Sequence, residues 1–377
     1  MKKVCFLFII FMLFTTVKAE EIKLASNAKS AILIEPTTGE ILFEKNSHEK
    51  LHPASMTKMM SMLIILESID KGLIKWDEEV IVSPNASSMG GSQILLETGE
   101  KMSVSDLFKG IAVASGNDAV VALAEKISGT EEGFVILMNK RAKELGLKDT
   151  HFVNCHGIDA SDHYSSAYDM SMIAKELSKH EEVFKYSSIY EDYLRKNTNR
   201  KFWLVNTNKL VRFYNGADGL KTGYTDLAGY CLTATAKRDG MRLIAVVMGE
   251  ESSEVRNKEV SEMLDHGFAN YGLINVLTTN DIVGSTKVIK SKINNINLYP
   301  NENITLLYKK IDSKPNITYD LDIKTLEAPL KKGSKVGKLK ISKNDNYLKS
   351  IDLIINEDIE KINFLEQLLL NFKRIFE

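Results

Sequence analysis

Three short motifs carry residues suited to nucleophilic catalysis. Ser55-Met56-Thr57-Lys58 puts a hydroxyl and an amine three residues apart, which share one face if the segment is helical. The positive end of such a helix favours negative charge developing at Ser55. A lysine buried in apolar surroundings loses its ammonium form, so Lys58 can act as the base that takes the Ser55 proton. Working near neutrality needs its pKa to fall by roughly 3 units from about 10.4. That is on the order of 4 kcal/mol, which burial and a second cation can supply. Ser115-Gly116-Asn117 adds a second hydroxyl and a carboxamide at i and i+2. Lys221-Thr222-Gly223 offers a cation, a hydroxyl and a residue small enough for a substrate backbone to approach. Single patterns are common: S-x-x-K recurs at Ser26/Lys29, Ser47/Lys50 and Ser68/Lys71, and S-x-N at Ser83/Asn85 and Ser342/Asn344. Context separates them, because only Ser55 opens an apolar helical stretch just after a proline.

Other chemistries have less support. His48-Glu49-Lys50-Leu51-His52 matches the zinc-protease pattern, which needs both histidines on one helix. Asn46-Ser47 reads as a turn, and Pro53 disfavours helical backbone at His52, so no metal is expected. The G-x-S-x-G elbow of α/β-hydrolases is absent.

The elements around the motifs predict an α+β domain. Residues 31–35 and 40–44 read as strands of a hairpin turning at Pro36-Thr37-Thr38-Gly39. Residues 55–69 are apolar on all sides, the mark of a buried helix. Residues 104–127 and 132–145 also read as helical, with Ser115-Gly116-Asn117 breaking the first stretch. Residues 230–236 and 243–248 are strands around Asp239-Gly240, a strong hairpin signal, and a helix over 253–271 follows. Strands, then helices, then strands suggest helices packed on an antiparallel sheet.

The 377 residues hold 49 Lys+Arg and 50 Asp+Glu, a balance that argues against a nucleic-acid partner. The balance is a sum over unlike parts. Lys2 and Lys3, an apolar run and Val17-Lys18-Ala19 read as a signal peptide over 1–19, and its removal leaves a net charge of −4. Residues 20–275 form the expected catalytic domain. Residues 276–356 read as a small all-β sandwich, lysine-rich to a net +6 over 278–356. Residues 357–377 read as an amphipathic helix for a membrane surface: Ile362, Leu365, Leu368, Leu369, Phe372, Ile375 and Phe376 recur at helical spacing. Cys5 leaves with the leader. Cys155 and Cys231 stay open between pairing and two buried thiols.

Together the trio is a signature shared by class A β-lactamases and penicillin-binding proteins. With their flanks, Pro53 to Lys58, Ala114 to Ala119 and Asp218 to Thr225, the motifs make the chain resemble the low-molecular-mass penicillin-binding proteins, serine-type D-alanyl-D-alanine carboxypeptidases of peptidase family S11. Asn206-Thr207-Asn208 and 154–157 fit too, with Cys155 where proline is common. The resemblance implies a β-lactamase/transpeptidase-like catalytic domain, the β-rich domain and a terminal anchor. It implies that Ser55 attacks the carbonyl between the two terminal D-alanines of a peptidoglycan stem peptide, with Lys58 as base. Ser115 would relay a proton to the leaving amine, and Asn117 would bind the substrate backbone. Lys221 would help keep Lys58 neutral and, with Thr222, hold the terminal carboxylate beside Gly223. Arg256 is a weaker carboxylate partner. The N–H groups of Ser55 and Tyr224 would form the oxyanion hole. β-Lactams would be covalent inhibitors, no cofactor is needed, and the enzyme would be exported to the outer face of the cytoplasmic membrane. A DD-endopeptidase would use the same residues. A class A β-lactamase needs E-x-x-L-N, and Glu191-Asp192-Tyr193-Leu194 is followed instead by Arg195. A non-enzymatic wall-binding protein would not need all three motifs.

Overall fold

The computed structural model describes residues 23–293, 295–312, 314–363 and 366. The expected leader lies outside the described residues. The first domain is built on a five-stranded antiparallel sheet in the order Glu40–Lys45, Ser30–Glu35, Met241–Glu250, Gly229–Arg238, Ala217–Thr225. Strand periodicity assigns its two faces. Ile32, Ile34, Ile244, Val246 and Met248 join the larger core with the central helices. Ala31, Leu33, Leu243, Ala245 and Val247 face the other way, onto Val260, Met263 and Leu264 of the Ser253–Asn270 helix. Asp239 (φ +49°) and Gly240 (φ +81°) make the tight turn that their sequence predicts.

The helix expected over 55–69 begins as a 3₁₀ turn, Ala54–Thr57, and continues as the α-helix Lys58–Asp70. Met59, Met60, Met62, Leu63 and Ile65 are all buried, so the helix runs through the core. The 104–127 stretch is two helices, Val104–Ala114 and Asn117–Ser128. Ser115 breaks it in the left-handed region at φ +63°, an uncommon conformation for a residue other than glycine.

The β-rich domain starts at Tyr271, slightly before the expected boundary, where Tyr271–Leu277 pairs with Ile304–Lys309. A six-stranded sheet completes it, and Leu298, Leu339, Ile341 and Leu353 fill its core with Leu277 and Ile304. The end differs from expectation. Residues 357–363 do not open a helix: Ile359 exchanges backbone hydrogen bonds with Leu330, and Ile362 N–H donates to Lys290 O at 3.0 Å. Both isoleucines are buried, so Ile362, the first position of the expected amphipathic pattern, closes the β-rich domain together with Ile359. A helix-start pattern appears one step later. Asn363 Oδ1 accepts from Glu366 N–H at 2.9 Å, and the Glu366 carboxylate accepts from Asn363 N–H at 3.1 Å, a reciprocal capping box. The rest of the expected anchor lies outside the described residues.

Candidate active site

The three motifs meet at one cleft of about 460 Å³, lined by Ser55, Ser115, Thr222, Gly223, Tyr224 and Arg256 among others. Lys58, Asn117 and Lys221 stand behind that lining, almost fully buried. Lys58 Nζ lies 3.0 Å from Ser55 Oγ, 2.6 Å from Asn117 Oδ1 and 2.7 Å from His156 O. The two carbonyl oxygens can only accept. A neutral Lys58 amine therefore spends both N–H bonds on them and turns its lone pair to the Ser55 hydroxyl. Burial, the leading cause, brings the Lys58 pKa down to about 7. Burial also lowers Lys221 strongly, with repulsion from Lys58 and Arg256 adding to it. The expected depression of Lys58 is thus chiefly an effect of desolvation.

Close packing sets the Ser55 turn. A Cβ on Gly223 would lie 2.7 Å from Pro53 O and 3.1 Å from Ala54 Cβ, so the Ala217–Thr225 strand presses directly on the nucleophile turn. From the opposite side, Gly157 (φ +90°) brings the 154–157 loop against Ala54 and delivers the His156 carbonyl to Lys58. Asn154 Oδ1 holds the loop by accepting from Gly157 N–H at 2.6 Å. His163 locks the turn further. Its Nδ1 accepts from Val153 N–H, which leaves Nε2–H to donate to Thr57 Oγ1 at 2.7 Å.

The left-handed turn at Ser115 brings that residue to the cleft lining, and its buried Oγ has no hydrogen-bond partner there. Asn117 is not free for a substrate backbone in this state, since Lys58 takes its Oδ1 and its Nδ2 donates to Gly90 O at 2.7 Å. Asp118, which the sequence reading passed over, fixes that side of the cleft. Its buried carboxylate accepts from the N–H groups of Ile94, Leu96 and Ala119. Only its place beside the S-x-N motif marks it in sequence.

On the third side, Thr222 Oγ1 donates to Thr207 Oγ1 at 2.8 Å, and Lys221 Nζ donates to Thr222 O at 3.0 Å. Arg256 is buried against the cleft, with no carboxylate within 4.0 Å among the described residues; its guanidinium donates only to Asn257 Oδ1. Burial lowers it to about 10, still a cation at neutral pH. Its helix is braced by an unusual pair. Neither oxygen of buried Glu250 meets a nitrogen or hydroxyl donor, and its neighbour is the Glu259 carboxylate, which accepts from Asn27 and Ala28. Burial, with that neighbour, pushes Glu250 up to about 8, so Glu250 donates its own proton to Glu259.

The remaining candidates stand elsewhere. His48 pairs with Asp149 at 2.9 Å, His52 lies 3.9 Å from Asp159, and the segment between them is not helical. Cys155 and Cys231 are both free and buried; burial raises both thiols, Cys231 to about 11. Glu191–Leu194 is a short strand paired with Phe202–Val205, and among the described residues no acidic residue lines the cleft.

Comparison with known proteins shows the family. The family model described as D-alanyl-D-alanine carboxypeptidase, peptidase S11, matches residues 15–252, and the C-terminal domain of penicillin-binding protein 5 matches residues 271–361. The chain is 51% identical to D-alanyl-D-alanine carboxypeptidase DacF of Bacillus subtilis over 344 residues, covering 91% of this chain and 88% of that protein. It is 33% identical to DacA of Escherichia coli, covering 93% and 88%. Penicillin-binding protein 5 from Haemophilus influenzae superposes with a TM-score of 0.75 at 32% identity, over 91% of this chain and all of that one.

Proposed function

The chain belongs to the D-alanyl-D-alanine carboxypeptidase family of serine peptidases, and from that premise we propose how its cleft performs the reaction. The enzyme is a serine-type D-Ala-D-Ala carboxypeptidase, a hydrolase of the penicillin-binding protein type. Ser55 attacks the carbonyl between the terminal D-alanines of a peptidoglycan stem peptide while neutral Lys58 takes its proton. The Ser55 and Tyr224 N–H groups face the developing oxyanion. Ser115 passes the proton to the leaving amine; Thr222, Lys221 and Arg256 hold the terminal carboxylate, and Asn117 turns to the substrate backbone once bound. Water then releases the shortened peptide. The observation that carries this reading is the Lys58 amine, held between two carbonyl acceptors with the Ser55 hydroxyl at 3.0 Å.

The test is to incubate the protein with a peptide ending Lys-D-Ala-D-Ala and to measure free D-alanine beside covalent labelling by a fluorescent penicillin. Release of D-alanine with a stable penicillin adduct is expected. Rapid turnover of penicillin without D-alanine release would point to a β-lactamase instead. Among the described residues no acid lines the cleft, which favours the slow adduct, because class A deacylation relies on a glutamate.

The working place of the enzyme belongs to the same proposal. Residues 1–19 direct export, and a helix from residue 364 rests the enzyme on the outer face of the cytoplasmic membrane. Support comes from the apolar spacing after Leu365 and the Asn363–Glu366 capping box. No helix among the described residues is long and apolar enough to cross a membrane. Deleting 364–377 should move the protein from the membrane to the soluble fraction while the β-rich domain, which ends at Ile362, stays folded. Unchanged fractionation would defeat the anchor.

A further inference from the structure

Each backbone polar group from Cys155 N–H to Gly157 N–H has a side-chain partner. Asn154 Oδ1 accepts from the N–H groups of His156 and Gly157, at 3.3 and 2.6 Å. Ser61 Oγ donates to Cys155 O at 2.6 Å, and Lys58 Nζ donates to the next carbonyl, His156 O, at 2.7 Å. Residues 58 and 61 share one face of the Lys58–Asp70 helix, so two successive carbonyls dock on a single face. The remaining group, Cys155 N–H, donates to Glu131 Oε1 at 3.1 Å.

Glu131 opens the Glu131–Glu144 helix, where an acid in the first turn is ordinarily a surface charge facing the helix dipole. Here its side chain is only 18% exposed and turns onto the loop, with Oε1 also 3.4 Å from His156 Nε2. His156 Nδ1 accepts from Ile158 N–H at 3.1 Å, so Nε2 carries the ring hydrogen and directs it at the carboxylate. Burial brings this imidazole down to about 3, so it works as a neutral ring. One oxygen therefore grips Cys155 by its backbone and His156 by its ring.

We propose that Glu131 is a positioning residue for acylation: it fixes the His156 carbonyl against the Lys58 amine, and so the direction of the lone pair that takes the Ser55 proton. The inference rests on the reading of Lys58 as the base. Without the grip, the His156 carbonyl leaves Lys58, and the amine keeps only its Asn117 acceptor and turns its lone pair off Ser55 Oγ. A carbonyl acceptor favours ammonium over amine, so losing one also lowers the Lys58 pKa. The acid limb of acylation then moves to lower pH while the plateau rate falls. Loss of fold alone lowers the amount of active enzyme and leaves the limb in place.

The test follows acylation of the full chain by a fluorescent penicillin through the acid limb, each protein normalised to the label it binds at completion. Glu131→Ala is expected to lose about tenfold or more in the limiting acylation rate, with half-saturation within about twofold. Its limb should move down by about half a pH unit or more. Glu131→Gln keeps the acceptor without the charge and should match the unaltered protein in both readouts. The titrating groups around Lys58, namely Cys155, Asp118, His156 and Lys221, are the same in every variant. A limb moved equally by Gln and Ala would make Glu131 a charge rather than a grip and overturn the proposal. So would an alanine variant with an unmoved limb, whether or not its yield of active protein falls. Should Glu131→Ala not fold, Glu131→Asp, one methylene short of the loop, decides by the same two readouts. An unaltered protein that takes no label and releases no D-alanine would instead remove the reading of Lys58 beneath the proposal.

Discussion

Lys58→Met is expected to slow acylation of Ser55 on the order of 10³-fold, measured as the rate of fluorescent penicillin labelling or of D-alanine release. Among the described residues, the side chain removed is the only group within hydrogen-bond reach of Ser55 Oγ that can accept its proton. Methionine keeps much of the apolar volume, so the loss reads as lost base chemistry more than lost packing. Lys58→Arg should not rescue, because a guanidinium stays protonated at any working pH and presents no lone pair. The pH dependence follows in sign. With Lys58 near 7, its active neutral form is scarce in acid and predominant in alkali. Acylation by the unaltered enzyme should therefore rise with pH through about 7 and then level. Labelling by Lys58→Met at the normal rate, or an acid limb that survives the substitution, would remove Lys58 from the role of base.

The fold and the three motifs were readable from sequence because each rests on local pattern. An all-round apolar stretch after Pro53 can only be a core helix, and Asp239-Gly240 between apolar runs can only turn tightly. What sequence could not supply is contact across distance. The acceptor that helps hold the Lys58 amine is a backbone carbonyl, at His156, and any residue type carries one. The left-handed conformation of Ser115 is likewise imposed by what surrounds it, since serine itself gives no preference for that region. The tail misled for a related reason. Ile362 opens the apolar pattern expected for a helix face, yet its N–H pairs with Lys290 O, and with Ile359, which pairs with Leu330, it closes the β-rich domain. Periodicity identifies a buried face without saying which partner buries it.

The catalytic geometry also differs from expectation in where its strain sits. Lys58 is lowered mainly by burial, and mutual repulsion of the buried cations weighs most visibly on Lys221. Both amines are kept from water by the same packing, so anything that opens the nucleophile turn should act on reactivity and stability together.

Gly157→Ala should do so. A Cβ there would lie 1.9 Å from Ala54 O, 2.4 Å from Ala54 C and 2.9 Å from Thr57 Oγ1. Two of these atoms are backbone and cannot rotate away. The residue also sits at φ +90°, which a side chain disfavours by about 1–2 kcal/mol before any clash. Overpacking adds about 1–3 kcal/mol more, so a loss of roughly 2–5 kcal/mol is expected in urea unfolding. The relief of that clash must push the loop away from the turn. It then carries the His156 carbonyl off Lys58, and a displacement near 1 Å at such a site costs on the order of 10²-fold in rate. Gly146→Ala is the matched comparison. Gly146 also has positive φ, +72°, but a Cβ there meets nothing within 4 Å. It should cost about 1–2 kcal/mol and leave penicillin labelling unchanged. If the two alanine variants were equally stable and equally reactive, the 154–157 loop would have no part in setting the nucleophile. If Gly157→Ala alone lost both properties, the loop that places one carbonyl on Lys58 would be as necessary to the reaction as the S-x-x-K motif itself.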